Sequence, residues 1–190
     1  MATVSAPFGF KPIFHPSGII RPKAMNGGIP SGYNTAIYVG QPVKFLTTGV
    51  LAAAGASDAI VGVFAGCEYV PSGGRPSGGY WPANQTYDSS QPMVAYYYDD
   101  PDLIYAVQCD GSIAQTGALD EADYSNTTAG STVTGLSACT LSSTLKGAGN
   151  QGQWRVMDVF GLEGNAWGDT YTIVQVRVAN HQFGGVQTAT

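Results

Sequence analysis

Tyr171-Thr172-Ile173-Val174-Gln175-Val176-Arg177-Val178 sets the fold class. Val174, Val176 and Val178 fall on one face of an extended chain and Gln175 and Arg177 on the other, the alternation of a strand with one buried side. Reading backwards, short runs of the same kind recur between turn-forming residues. Trp154 to Phe160 is one; Leu103 to Cys109 and Val94 to Tyr98 flank the turn Asp99-Asp100-Pro101-Asp102. Ile60-Val61-Gly62-Val63-Phe64, extending toward Val70, reads as a buried strand. Val50 to Ala54, Val43 to Leu46 and Tyr33 to Val39 precede it, the last two separated by the turn Gly40-Gln41-Pro42. Ser112 to Gln115 predicts a further short strand, and Ala118 to Tyr124 one or two helical turns. Pro71 to Gly79, rich in Gly, Ser and Pro, reads as a surface loop closed by Tyr80-Trp81-Pro82. About nine or ten strands of ordinary length with no sustained helix between them exclude βαβ units. The expectation is an all-β fold over residues 31–190, a compact β-barrel or β-sandwich of short strands.

The first thirty residues read differently. Ala6-Pro7-Phe8-Gly9-Phe10-Lys11-Pro12-Ile13-Phe14-His15-Pro16 interleaves three prolines with three phenylalanines, and Arg21-Pro22-Lys23 and Gly27-Gly28-Ile29-Pro30 follow. Each proline removes a donor and pushes the preceding residue toward extended geometry, so no helix runs here and a central strand is disfavoured. Yet burying one phenylalanine is worth about 1.5–3 kcal/mol, too much apolar surface for a solvated tail. Residues 1–30 are therefore expected to be an extended N-terminal arm lying on a neighbouring subunit, with packing on its own domain as the alternative. Fully extended, thirty residues span about 100 Å.

Composition narrows the function. Charged residues make up 11% of the 190, where about 25% is usual, which favours a protein that works in an assembly. A net charge of −5 and only eight Lys and Arg, three of them in the arm (Lys11, Arg21, Lys23), argue against nucleic-acid binding. No apolar run approaches a membrane span. Cys67, Cys109 and Cys139 are odd in number and widely spaced, fitting buried thiols in a reducing cytoplasm. No secretory leader is read, so the triplets Asn84-Gln85-Thr86 and Asn126-Thr127-Thr128 carry no glycosylation signal of weight.

Chemistry finds little to work with. His15 sits between Phe14 and Pro16, and His181 follows the last strand; neither has a partner by motif, so no catalytic residue is assigned. Cys67 adjoins Glu68 rather than a cation. Asp99, Asp100 and Asp102 make the best calcium candidate, but the spacing of a calcium-binding loop is missing, and no metal or cofactor is expected. Tyr80, Trp81 and Tyr96-Tyr97-Tyr98 suit either a protein or carbohydrate contact face or the core.

Three consecutive segments carry a family resemblance: Gly40-Gln41-Pro42-Val43-Lys44-Phe45-Leu46, Gly49-Val50-Leu51-Ala52-Ala53-Ala54-Gly55 and Asp58-Ala59-Ile60-Val61-Gly62-Val63-Phe64. They resemble the opening strands of head decoration (capsid cement) proteins of tailed bacteriophages. Ala6-Pro7-Phe8-Gly9-Phe10, Tyr98-Asp99-Asp100-Pro101, Gln108-Cys109-Asp110-Gly111-Ser112 and Ala166-Trp167-Gly168-Asp169 are similar to segments of phage virion proteins. The resemblance implies a structural, non-enzymatic virion protein. It would be made in the host bacterial cytoplasm and would end on the capsid surface, where it bridges major capsid protein subunits as a homo-oligomer, a trimer favoured. Phe8, Phe10, Phe14, Arg21, Tyr80 and Trp81 are the expected contact residues. A phage tail or head-fibre subunit and a small carbohydrate-binding β-domain are the alternatives.

Overall fold

The computed structural model describes residues 2–184. Its strands run β1 (Lys11–Phe14), β2 (Lys23–Asn26), β3 (Pro42–Phe45), β4 (Leu51–Ala53), β5 (Gly62–Tyr69), β6 (Ser77–Gly79) and β7 (Val94–Tyr98). They continue with β8 (Ile104–Gln108), β9 (Glu121–Ala122), β10 (Tyr124–Ser125), β11 (Thr140–Leu141), β12 (Trp154–Val159) and β13 (Ile173–Val178). One sheet has the order β1-β8-β13-β12-β9, a second β2-β7-β5-β3-β4 with β6 also on β5, and β10 pairs with β11. Every strand pairing is antiparallel. The fold is all-β and sandwich-like.

Strand β5 separates two cores, contributing a face to each. Val63 points into a core with Phe10, Tyr105, Trp154, Val174 and Val176, while Phe64, Cys67 and Tyr69 point into a second with Ile37, Val43 and Trp81. A strand buried on both faces needs apolar residues at nearly every position, which is why its sequence lacks alternation. It also has to admit β7 closely. At Gly62 (φ +150°) a Cβ would stand 1.6 Å from the Tyr98 carbonyl oxygen, so only glycine fits.

Buried glutamines complete the backbone pairing where ladders stop. A primary amide offers one acceptor and donors, as a peptide group does. Gln41 Oε1 accepts from Tyr38 N–H (3.0 Å) and its Nε2 donates to the Thr127 carbonyl (2.8 Å). Gln153 Nε2 donates to the Gly55 and Asp58 carbonyls, while its Oε1 accepts from Tyr124 N–H. Gln108 grips the N-terminal segment, accepting from Ala6 N–H (2.8 Å) and donating to the Val4 carbonyl (3.1 Å).

Several expectations are corrected. The segment expected to lie on a neighbour as an arm packs instead on its own chain: β1 and β2 are edge strands of the two sheets. An edge position tolerates the missing N–H of Pro12, so the proline rule excludes only a central position. The helical turns expected over Ala118 to Tyr124 are absent, replaced by a 3-10 turn at Gln115–Gly117 followed by β9 and β10. Leu119 adopts φ +70° and its N–H donates to the Val156 carbonyl, so pairing with β12 overrides helix propensity. Ser112 to Gln115 is not a strand. Tyr33 to Val39 makes only isolated bridges, Ile37 with Trp81 and Val39 with Leu136. Pro71 to Gly79 is surface as expected, but its end pairs as β6.

We predict that Gly62→Ala costs more than about 3 kcal/mol of stability, from strain at positive φ plus steric overlap. A denaturant melt within about 1 kcal/mol of the parent would refute the close β5–β7 approach.

Candidate contact surface

The N-terminal segment is both buttress and surface, and Gly9 separates the two roles. Its φ of +72° turns the chain so that Phe10 enters the core while Phe8 stays at the surface. A Cβ on Gly9 would stand 2.8 Å from the Gly40 carbonyl oxygen and 2.9 Å from Ser137 Cβ. Phe10 is 1% exposed, stacks on Trp154 at 4.2 Å between ring centroids and meets Tyr124 edge-on at 6.2 Å. Expected as an interface anchor, it is a core residue, because its ring completes the aromatic cluster beneath the first sheet.

Trp81 is corrected in the same way. It is fully buried in the second core between Tyr69 and Tyr87, since its bridge to Ile37 turns the indole inward. Tyr80 stacks flat on Tyr38 at 5.3 Å. Tyr97 is buried, and Tyr96 and Tyr98 point to the opposite face of β7.

Phe14 and Arg21 do remain at the surface, Phe14 as the last residue of β1 and Arg21 on the loop that crosses from β1 to β2. Phe14 is 52% exposed, and Ile19, Ile20 and Arg21 are exposed beyond it. The acidic turn holds this loop down. His15 Nε2 lies 2.9 Å from Asp100 Oδ2, and Lys23 Nζ donates to Asp99 Oδ2 at 2.9 Å. Ser17 Oγ and Ser17 N–H close the other side of the imidazole at Nδ1, 2.6 and 3.1 Å away. The hydrogen bond and charge of Asp99 raise the Lys23 pKa. That small surface contribution is present at neutral pH and is lost only as pH rises past the raised value. In the acidic turn, Asp99 and Asp100 thus serve as anchors of the loop. Among the described residues no group of three or more His, Cys, Asp or Glu is arranged to hold a metal.

The remaining chemistry-capable groups serve the fold. Glu121, fully buried, accepts from Arg155 Nη2 (2.8 Å) and from Gly152 N–H (2.8 Å). His181 Nε2 lies 3.1 Å from both the Val61 and Asp99 carbonyls, and Phe183 N–H donates to its Nδ1, which makes Nε2 the protonated nitrogen. All three cysteines are free and buried, and desolvation pushes Cys67 and Cys139 up to about 12 and Cys109 further. Of the eight cationic residues, Lys23, Lys44, Lys146, Arg155 and Arg177 face carboxylates within 4 Å, so no basic stripe is left for phosphates. No helix is long and apolar enough to cross a membrane.

A second surface feature was not foreseen from sequence. An apolar cleft of about 570 Å³ opens beside β1, lined by Phe8, Pro12, Ile13, Leu136, Phe160 and Leu162 among others. Its residues come from segments scattered between Phe8 and Ile173, so no local pattern marks it. Comparison of the chain with protein-family models, with curated proteins and with solved structures returns no match.

Phe10→Ala is predicted to cost about 3–5 kcal/mol. Removal of residues 1–30, which also deletes the buried Ile29 and both edge strands, should abolish cooperative unfolding in a calorimetric scan. A truncated chain melting like the parent would restore the detachable arm. The three thiols should resist an aromatic disulfide reagent at neutral pH and react only in denaturant, because thiolate is scarce and access is closed. Rapid native labelling of any one of them would contradict the burial described.

Proposed function

We propose that this chain is a non-enzymatic structural protein of a tailed-phage particle, a capsid decoration (cement) protein that bridges neighbouring major capsid protein subunits. The crossing loop carries the proposal. Phe14 at the end of β1, with Ile19 and Ile20 on the anchored loop that follows, leaves apolar surface exposed beside the exposed cation of Arg21. Apolar surface held in place this way is the usual mark of a contact site. Because His15 and Lys23 already anchor the loop, docking it costs little ordering entropy, unlike docking a free arm.

The resemblance to decoration proteins supports the same reading. Its three segments include β3, β4 and the start of β5, which are neighbours in one antiparallel sheet. Low charge and structurally occupied histidines, cysteines and buried Glu121 suit a molecule that acts by contact. Several modest contacts made at once by an oligomer add up to strong attachment, which is what a shell under internal pressure requires. The place of action is then the outer capsid surface, after synthesis in the host cytoplasm, with the major capsid protein and further copies of this chain as partners.

Cryo-electron microscopy of particles from the phage that encodes this chain tests the proposal. Density for the chain should lie on the outside of the head, with the Phe14–Arg21 loop against the shell. Density confined to the tail or a fibre would overturn it. Replacing Phe14 and Ile19 together by Asp should leave the melting curve nearly unchanged and weaken co-sedimentation with purified undecorated heads more than tenfold.

A further inference from the structure

We infer that the apolar cleft beside β1 is the docking site for a second copy of this chain, which inserts the side chain of Val133. This deepens the reading above by assigning the self-contact to a face other than the crossing loop. Val133 is 93% exposed, at the apex of the turn between Gly130 and Ser137. The turn is firmly built. Gly135 N–H donates to the Ser131 carbonyl (2.8 Å), Ser131 N–H to the Leu136 carbonyl (2.9 Å), and Ser131 Oγ accepts from Val133 and Thr134 N–H. A valine presented to solvent by an ordered turn is a knob without a socket on its own molecule.

The socket lies next to it. Leu136, at the foot of the same turn, also lines the cleft, whose volume of about 570 Å³ exceeds what one valine side chain fills. Each copy thus carries one knob and one hole on one face. Copies related by a rotation can satisfy both at once and close into a finite assembly.

Charge points to the same partner. A chain of net charge −5 repels its own kind over most of its surface, but the cleft has one charged lining residue, Lys11. An adjoining depression that shares Phe8, Leu162 and Ile173 with the cleft has one as well, Glu163. Neither joins an ion pair among the described residues. Opposite charges on one otherwise uncharged strip complement a second copy of that strip, whereas a strongly charged partner would leave one of them opposed.

Sedimentation velocity on the isolated full chain tests this without any particle, so its outcome is separate from that of the capsid reading. The parent should sediment as an assembly at tens of micromolar. Val133→Asp and Leu136→Asp, both at exposed positions, should each raise the dissociation constant at least tenfold with an unchanged melting curve. Lys11→Glu should weaken assembly, and adding Glu163→Lys to it should restore it. A monomeric parent, an assembly indifferent to Val133→Asp, or a charge swap that fails to restore assembly would each overturn the inference.

Discussion

Phe10 stacks on Trp154, and through that contact the beginning of the chain is locked to a strand near its end. The left-handed turn at Gly9 and the hydrogen bond from Phe10 N–H to the Gly40 carbonyl (2.8 Å) set the ring in place. From there β1 can only leave along the rim of the first sheet, and β2 along the rim of the second. The loop between them is consequently stretched across the side of the sandwich. Its exposed apolar residues are a by-product of how the ends are tied, and the acidic turn between β7 and β8 completes the tie from the other side.

Putting the same segment to structural and surface use changes how contact is achieved. A free arm would trade ordering entropy for affinity. This chain settles that cost on folding, leaving a surface with few degrees of freedom to lose. Two separate apolar features result, the crossing loop and the cleft with its adjacent knob.

Much of the strand pattern was legible in the sequence. Val94 to Tyr98 matches β7, and Leu103 to Cys109, Trp154 to Phe160 and Tyr171 to Val178 match β8, β12 and β13 to within two residues at each end. Those strands are central or nearly so, and their alternation or density of β-branched and aromatic residues reflects burial directly. The two-residue strands β9, β10 and β11 were not legible, because their pairing is set by partners distant in sequence rather than by local preference. The contact residues divide the same way. Phe14 and Arg21 sit at the surface as read, but Phe10 and Trp81 are each next to a glycine or proline turn, where no periodicity tells inside from outside. Proline argued correctly against a central strand and was silent about an edge. The cleft and the Val133 knob depend on tertiary proximity alone.

Tyr171 N–H donates to the Ala2 carbonyl, and the Ala2 N–H in turn donates to the Asp169 carboxylate. Residues 2 and 169–171 therefore find their places only when they meet. Such a topology makes folding slow, since segments far apart in sequence must meet before either gains anything. Until then Phe8, Phe10 and Phe14 stay uncovered, and incompletely folded chains of this protein are natural clients for chaperones.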